Sequence, residues 1–402
     1  MFPTDEISGT STQDPDAQGV KTIRVLLNCS TLVKGGALQA SVSFISEAAA
    51  RQDNINWHFA LSPQVLHELE NTNHTKTMNR VTVVDPSPAK SFLSRKKLKN
   101  LELSINPDVV FTFMGPAYVR FNAPHLCGVA DGCVTHSNWL AFSAVKSKSQ
   151  VLSMLLQSIY KALWYKKADY WVVEAECARN GLIRRLLLPS HRINIVKNTC
   201  AIEYLSYKNN LVNSSMQQNT KILTLSAYYP TKNLEIIPHV AKELSALLQN
   251  NDFEFVLTIP KDTVEERSLM DTAKSLGVSN IVKNIGPVKL VDGPKLYRSC
   301  HIMFLPSLLE TFSANYPEAM AMGLPIVTTN LGFAKDICRD AALYYPPKDA
   351  EAAARCIASV INDGVLRERL ITKGRDVLNG LPDPEQKYHQ YTKILKSIAY
   401  KD

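Results

Sequence analysis

The chain has 402 residues, of which 45% are hydrophobic, 20% charged and 8% aromatic. This profile is typical of a globular protein with ample core material, and it excludes a disordered chain, a fibrous repeat and a disulfide-stapled miniprotein. Residues 21–200 carry a net charge of +11, whereas the 202 residues that follow carry +1. This asymmetry predicts an anionic partner for the first half of the chain only.

The N-terminal residues 1–20 are rich in Ser, Thr, Asp, Gly, Pro and Gln, which predicts a disordered tail. They lack the basic and apolar regions of a signal peptide, and no run approaches the ~20 apolar residues that span a bilayer. The eight cysteines are scattered without a CxxC pair. We therefore expect reduced, mostly buried thiols, no metal site and a cytoplasmic location.

In the first half, a buried strand at 22–28 leads into a loop with Gly35 and Gly36, and a helix then runs to about Ala50. Further apolar runs, with helical stretches between several of them, predict strands at 57–62, 80–84, 109–114, 125–130 and 170–173. Strands that alternate with helices are typical of a parallel sheet.

The second half repeats this pattern after a polar, linker-like stretch at 198–215. Its apolar runs predict strands at 221–226, 253–259, 281–283, 302–305, 325–329 and 342–345. Its helical patterns fall at 234–248, 264–276, 289–299, 317–322 and 350–362.

The sequence therefore predicts an α/β fold in which two Rossmann-like, doubly wound domains face a central cleft. We expect these domains to span residues 21–203 and 204–384, and a C-terminal helix within 385–402 to cross back to the first domain. In such a fold, a ligand binds in the cleft at the carboxyl ends of the strands.

Residues 305–328 carry most of the chemical information. A buried strand ends near Ser307, a loop with Glu310 follows, and Pro317 is expected at the first position of a short helix. The loop and the helix N-terminus would offer free N–H groups to an anion, and Glu310 and Glu318 could accept hydrogen bonds from sugar hydroxyls. The spacing alone is equally compatible with a Glu318 that only complements the helix dipole and a solvated Glu310.

The two glutamates, separated by seven residues and set in Leu-Glu310-Thr-Phe and Glu318-Ala-Met-Ala-Met-Gly-Leu-Pro, resemble the signature of glycosyltransferase family 4. Members of that family are retaining enzymes with the GT-B fold. The similarity extends to 225–235, which resembles the family's phosphate-binding lysine loop, to 330–351 and to the Gly-Gly pair after the first strand. It is strong in the second half and weak in the first.

The resemblance implies a role for each matching residue. Glu318 would hold the ribose of a nucleotide-diphosphate sugar, Glu310 would contact the donor sugar, and Lys232 would neutralise the diphosphate as it leaves. The remaining donor-binding candidates act through their backbones, which approach the sugar and diphosphate: Gly35, Gly36, Phe312, Ser313, Ala314 and Asn315. The family usually works without a metal or cofactor.

The sequence departs from the family pattern at two places. Where members often carry an Arg before the lysine, this chain has Ala227, so Lys34, Lys335 or another residue would have to supply the missing cation. Where members often carry His-Asp after the fourth strand, this chain has Ala followed by Asp131, which we expect to line the acceptor site as a catalytic candidate. His136 is an acceptor-side candidate, or else a polar surface residue.

Two features concentrate the positive charge of the first half. Residues 95–99 hold four cations beside Phe92 and Leu93, and residues 144–167 predict an amphipathic helix with a leucine stripe and flanking lysines. An apolar helix face flanked by basic residues is typical of proteins that bind an anionic membrane surface. Alternatively, the stripe packs on the sheet and the lysines are solvated. We do not expect nucleic-acid binding, because no recognition module is evident.

The sequence thus predicts a retaining, metal-independent glycosyltransferase that moves a sugar from a nucleotide-diphosphate sugar to a hydroxyl of a glycan or lipid-linked glycan. We expect it to act in cell-surface polysaccharide assembly (lipopolysaccharide, O-antigen or exopolysaccharide), on the inner face of the plasma membrane as a peripheral protein. The alternatives are a nucleotide-sugar epimerase or glycan phosphorylase of the same fold, and a non-catalytic glycan- or nucleotide-binding protein.

Overall fold

A computed structural model describes residues 22–71, 78, 80–145, 147–206 and 219–401 of the chain. The predicted N-terminal tail and half of the predicted linker, residues 207–215, lie outside the described residues. Within the described part, all eight cysteines are free, and five of them are buried.

The first domain is built on a parallel sheet of seven strands in the order β3-β2-β1-β4-β5-β6-β7 within the described residues. Six of the seven residues of β1 are buried, as expected for a central strand that is covered by helices on both faces. The strands are β1 (Ile23–Cys29), β2 (Ile55–Leu61), β3 (Val81–Val83), β4 (Val109–Thr112), β5 (His125–Gly128), β6 (Tyr170–Val173) and β7 (Ile193–Ile195).

The helices that belong to this first part of the chain alternate with its strands for the most part. They are α1 (Gly36–Ala50), α2 (Pro63–Asn71), α3 (Phe92–Ile105), α4 (Gly132–Thr135), α5 (Trp139–Ser143), α6 (Lys148–Tyr165), α7 (Glu176–Leu186) and α8 (Ile202–Leu205). Three helices, α4 to α6, follow one another between β5 and β6. This connection contains more helices than any other connection between the described strands of the domain.

The second domain is built on a parallel sheet of six described strands in the order β10-β9-β8-β11-β12-β13. The strands are β8 (Thr220–Thr224), β9 (Phe253–Leu257), β10 (Val282–Asn284), β11 (Ile302–Leu305), β12 (Ile326–Thr329) and β13 (Ala342–Tyr345). The helices are α9 (Ile237–Leu248), α10 (Val264–Ser275), α11 (Gly293–Arg298), α12 (Asn315–Ala321), α13 (Gly332–Cys338), α14 (Ala350–Asn362), α15 (Gly364–Asn379) and α16 (Pro384–Ala399).

The predicted fold class is confirmed, because both parts are doubly wound parallel sheets with helices on their faces. Several details differ from the prediction. Helices α13 and α15 were not predicted. Strand β7 was not predicted either, because Asn194 interrupts its apolar run. Helix α12 begins at Asn315, so Pro317 is its third residue and not its first; the missing N–H still costs nothing there, because the first four N–H groups of a helix have no partner within it.

The last helix, α16, packs against the first domain. Its buried residues Tyr388, Tyr391, Leu395 and Ile398 join the core cluster that surrounds β1 and β4. The ring centroid of Phe44 on α1 lies 5.6 Å from that of Tyr388 and 5.3 Å from that of Tyr391. Aromatic pairs at this spacing stabilise the packing beyond what the burial of their apolar area contributes. The chain therefore leaves the first domain, builds the second and returns to complete the first.

Candidate active site

The loops that follow β5 and β11 bring the two domains into contact. Nε2 of His136 donates a hydrogen bond to the backbone carbonyl of Glu310 at 2.6 Å, and Nδ2 of Asn138 donates to the carbonyl of Leu308 at 2.9 Å. Both loops follow the carboxyl ends of their strands, and these ends of the two parallel sheets face each other here. The candidate site therefore lies between the domains, where the sequence predicted the ligand.

Lys232 and Glu310 form an ion pair, and both side chains are largely shielded from solvent. Oγ of Ser307 donates a further hydrogen bond to Oε1 of Glu310 at 3.0 Å. Lys232 ends a 3₁₀ turn, Pro230–Lys232, which the backbone of Thr231 ties to Leu308 through a hydrogen bond of 2.7 Å. The phosphate-binding candidate and the sugar-binding candidate are thus side by side, and each is fixed by its own loop.

The loop between Glu310 and α12 has free backbone donors. Within the described residues, the N–H groups of Phe312, Ser313, Ala314 and Asn315 make no hydrogen bond. Nδ2 of Asn315 donates to the carbonyl of Leu225 at 2.5 Å and so fixes the loop against the end of β8. Helix α12 has only seven residues, so its dipole is small. An anion would therefore be held mainly by hydrogen bonds from the N–H groups of the loop.

Glu318 is buried and accepts a hydrogen bond at Oε2 from the hydroxyl of Tyr297, at 2.7 Å. Burial raises the pKa of Glu318 to about 7, because the charged form loses water, and the hydrogen bond from Tyr297 only partly offsets this. The carboxyl group therefore titrates near neutrality. Tyr297 was not predicted, because it lies on α11, 21 residues away, and no local spacing connects the two.

Gly35 and Gly36 begin α1 on the opposite side of the cleft. Gly35 has φ +79°, a left-handed value that side chains rarely adopt, and a Cβ on either glycine would meet no atom within 4 Å. The backbone here is therefore open to a ligand. Nζ of the neighbouring Lys34 lies 5.7 Å from the ring centroid of Tyr229 in the second domain, so this loop faces the Lys232 loop directly.

Asp131 caps α4, with Oδ1 accepting a hydrogen bond from the N–H of Val134 at 3.3 Å and Oδ2 one from Nζ of Lys161 at 2.8 Å. His136 ends the same short helix, and its Nδ1 lies 2.7 Å from the hydroxyl of Thr135. Burial lowers the pKa of His136. The structure thus brings His136 to the backbone of Glu310, whereas the carboxylate of Asp131 pairs with Lys161 from α6. The sequence predicted Lys161 as one of the lysines that flank the leucine stripe and gave no signal that it pairs with Asp131.

A cavity of about 430 Å³ lies next to this cluster and is lined by both domains. Phe312, Lys335 and Asp336 line it from the second domain, and Glu174 and Glu176 line it from the first. Lys335 therefore lines the same cavity as Phe312. Within the described residues, no group of three or more His, Cys, Asp or Glu side chains is placed to hold a metal ion.

Solved structures share this two-domain architecture over nearly the whole chain. A glycosyltransferase from Rickettsia africae has a TM-score of 0.71 at 16% identity, with 95% of this chain and 100% of that one covered. Anabaena HepE, solved in complex with UDP and glucose, has a TM-score of 0.65 at 16% identity, with 93% and 100% covered. The fold is GT-B, as the sequence predicts.

Residues 211–377 match the family described as glycosyl transferases group 1. This segment is less than half of the chain and coincides with the second domain. The predicted resemblance is confirmed for these residues, and the predicted GT-B fold is confirmed for the described part of the chain.

Two curated relatives match shorter segments. An uncharacterized glycosyltransferase of Methanocaldococcus jannaschii is 26% identical over 141 residues, which are 35% of this chain and 36% of the relative. The O-antigen chain mannosyltransferase B of Escherichia coli is 30% identical over 93 residues, which are 23% of this chain and 24% of the relative. The matches thus span about a third or less of these relatives, and the donor and acceptor of this chain are not fixed by them.

Proposed function

We propose that the protein transfers a sugar from a nucleotide-diphosphate sugar to a hydroxyl of a glycan or lipid-linked glycan, with retention of configuration and without a metal. The observation that carries the proposal is the Lys232–Glu310 ion pair beside the free N–H groups of residues 312–315. A cation and a row of amide donors suit a diphosphate, and a carboxylate beside them suits a sugar hydroxyl.

The proposed donor site uses both domains. The ribose hydroxyls donate to the carboxylate of Glu318, and the diphosphate lies between Lys232 and the open backbone of Gly35 and Gly36. The sugar then lies against the loop at 312–315, where Glu310 accepts hydrogen bonds from its hydroxyls. When the diphosphate binds Lys232, it competes with Glu310 for the ammonium group and frees the carboxylate for the sugar.

The proposed reaction breaks the bond between the anomeric carbon and the phosphate oxygen and forms the bond to the acceptor oxygen on the same face. The acceptor proton passes to an oxygen of the leaving diphosphate, so no separate protein base is required. Lys232 stabilises the charge that the diphosphate gains. Asp131 and His136 line the acceptor side: Asp131 fixes α4 through its cap and its ion pair, and α4 presents His136 to the Glu310 loop.

We further propose that Lys34 supplies the cation that Ala227 lacks. Lys34 follows β1, contacts the ring of Tyr229 and faces the Lys232 loop, whereas Lys335 lines the cavity that Phe312, Glu174 and Glu176 also line. A diphosphate between Lys34 and Lys232 would meet one cation from each domain, which would also favour closure of the cleft on the donor.

Replacement of Lys34 by Ala is therefore expected to weaken nucleoside-diphosphate binding by about 10- to 100-fold, as is typical for loss of a hydrogen bond to a charged group. Binding of the uncharged nucleoside should not change. The added substitution Ala227→Arg should restore most of the affinity, since it returns a cation to the same site. Titration calorimetry checks both. Unchanged diphosphate affinity in Lys34→Ala would contradict the assignment, and Lys335→Ala serves as the matched control.

The pKa of Glu318 gives the donor site a pH dependence. Ribose hydroxyls donate to the ionised carboxylate, so below its pKa of about 7 binding must release a proton. The Kd for the donor is therefore expected to rise by about tenfold per pH unit as the pH falls below 7, and to be constant above it. Glu318→Gln should bind more weakly at pH 8 and lose this dependence. A nucleotide sugar is the right probe, because the terminal phosphate of a free nucleoside diphosphate itself titrates near pH 6.

A panel of nucleotide sugars screened by thermal shift identifies the donor, because a ligand that binds only the folded protein stabilises it by mass action. Turnover of that donor in the presence of a chelator tests the metal-independent reaction. An epimerase would convert the donor without an acceptor, and a binding protein would give no product at all. Either outcome would contradict the proposal.

We propose a cell-surface polysaccharide as the product, made by the protein as a peripheral protein at the inner face of the plasma membrane. The match to an O-antigen chain mannosyltransferase supports the polysaccharide, and so does the fold likeness to the lipopolysaccharide outer core galactosyltransferase WaaB, with a TM-score of 0.62 at 12% identity. Transfer to a lipid-linked glycan extracted from the cell envelope is the corresponding assay.

A further inference from the structure

Helix α6 of the first domain presents its apolar side chains to solvent. Of its 18 residues only Tyr165 is buried. Its large apolar residues lie 41–59% exposed at helical spacing: Leu152, Leu155, Leu156, Ile159 and Leu163. A surface helix normally turns such a stripe towards the core. The alternative left open by the sequence, that the stripe packs on the sheet, is therefore wrong.

The start of α3 extends this apolar surface. Phe92 and Leu93 are 77% and 76% exposed. One turn further on, Arg95 donates to the hydroxyl of Tyr160 on α6 at 3.1 Å, and its guanidinium lies 5.4 Å from the ring of Trp164. The two helices are thus in contact, and their exposed apolar residues form one surface. We call it the α3–α6 face, which consists of Phe92, Leu93, Leu152, Leu155, Leu156, Ile159 and Leu163.

The charge around the α3–α6 face has one sign. Residues 86–101 and 132–168, which contain both apolar groups, hold five Lys or Arg each and not one Asp or Glu. A second copy of the chain at this face would bring like charges together, which disfavours self-association. An anionic surface that also accepts hydrophobic side chains is complementary to both the positive charge and the exposed apolar side chains of the face.

We propose that the α3–α6 face docks on an anionic lipid bilayer. Helix α6, about 27 Å long, would lie in the interface with its leucines among the acyl chains and the basic residues at its ends on the headgroups. Within the described residues, no helix is long and apolar enough to cross a membrane, so the contact is one of surface docking.

The docked orientation would bring the acceptor side of the cleft to the membrane. The inner side of α6 carries Lys161, whose ammonium pairs with Asp131 at the start of α4, and α4 ends at His136. One helix diameter, about 10 Å, therefore separates the lipid surface from the acceptor candidates. This step rests on the proposed function, whereas the docking itself does not.

The test is sedimentation of the full chain with phosphatidylcholine vesicles, with and without phosphatidylglycerol. Wild type should bind the anionic vesicles, and binding should fall with salt. The variant Leu155→Ser/Leu156→Ser/Ile159→Ser and the variant Lys96→Glu/Lys148→Glu/Lys166→Glu should each bind at least about tenfold less. Matched controls on the second domain, Val264→Ser/Val365→Ser and Arg369→Glu/Lys373→Glu, should bind like wild type.

Three results would overturn the proposal. The first is wild type that fails to sediment with anionic vesicles, and the second is face variants that bind the vesicles as well as wild type does. The third result is a wild-type dimer in light scattering that the leucine variant converts to a monomer, since the face would then join two copies. Donor binding is measured on every variant. If donor binding is intact while vesicle binding fails, the docking and the proposed membrane location are wrong, and the proposed sugar transfer stands.

Discussion

Replacement of Glu310 by Gln is expected to lower kcat for glycosyl transfer by about 10²- to 10³-fold, the range seen when one preorganised electrostatic group is removed from an active site. The amide keeps the size of the side chain but loses its charge, so it can neither pair with Lys232 nor bind the sugar hydroxyls as a carboxylate. Donor affinity should change far less, because ribose and diphosphate are held elsewhere. Steady-state kinetics and calorimetry separate the two effects.

The matched control for this variant is Glu235→Gln, a carboxylate of the same domain that accepts a hydrogen bond from Tyr228 and does not pair with Lys232. It should retain nearly full activity. If Glu310→Gln transferred sugar at the wild-type rate, the assignment of Glu310 to the reacting centre would be wrong. If Glu310→Gln lost donor binding and kcat together, Glu310 would belong to the donor-binding residues alone.

Replacement of Lys232 by Ala is expected to have an effect of similar size, about 10²- to 10³-fold on kcat, because the departing diphosphate would lose its fixed cation. It also leaves Glu310 without its ionic partner in a largely shielded position. Lys232→Arg should recover part of the activity, since the charge returns with a different shape.

The double variant Lys232→Ala/Glu310→Gln distinguishes a functional pair from a structural one. If the two residues act on the same transition state, the double variant should be little worse than either single variant. If the ion pair mattered only for folding, both single variants would melt at lower temperature and the double variant would recover. Thermal unfolding and kcat measured on the same samples decide between these outcomes.

The fold class could be predicted from the sequence because most of the strands and many of the helices carry their own pattern. The strands Tyr170–Val173, Ile302–Leu305 and Ala342–Tyr345 were predicted at their observed bounds, since apolar runs between polar turns suffice for buried parallel strands. Strand β7, helices α13 and α15 and the start of α12 were not predicted. Asn194 interrupts the apolar run of β7, and the ends of helices depend on tertiary contacts.

The candidate site could be predicted only where it lies within one segment. Glu310, Glu318 and Lys232 belong to patterns that a single stretch of chain displays. Their partners do not: Tyr297 reaches Glu318 from another helix, and Asn138 reaches the Glu310 loop from the other domain. Such contacts depend on how elements pack, and no spacing in the sequence encodes them. The exposure of the α6 stripe was likewise undecided until the packing of that helix was known.

The return of α16 to the first domain has a consequence for how the protein is made. A ribosome delivers the first domain's sheet long before the second domain, yet Tyr388, Tyr391, Leu395 and Ile398 complete the core around that sheet. An apolar groove beside α1 and β4 therefore stays uncovered until α16 has been synthesised. Synthesis that stops before α16 would leave the strands of the second domain complete and the core of the first domain open.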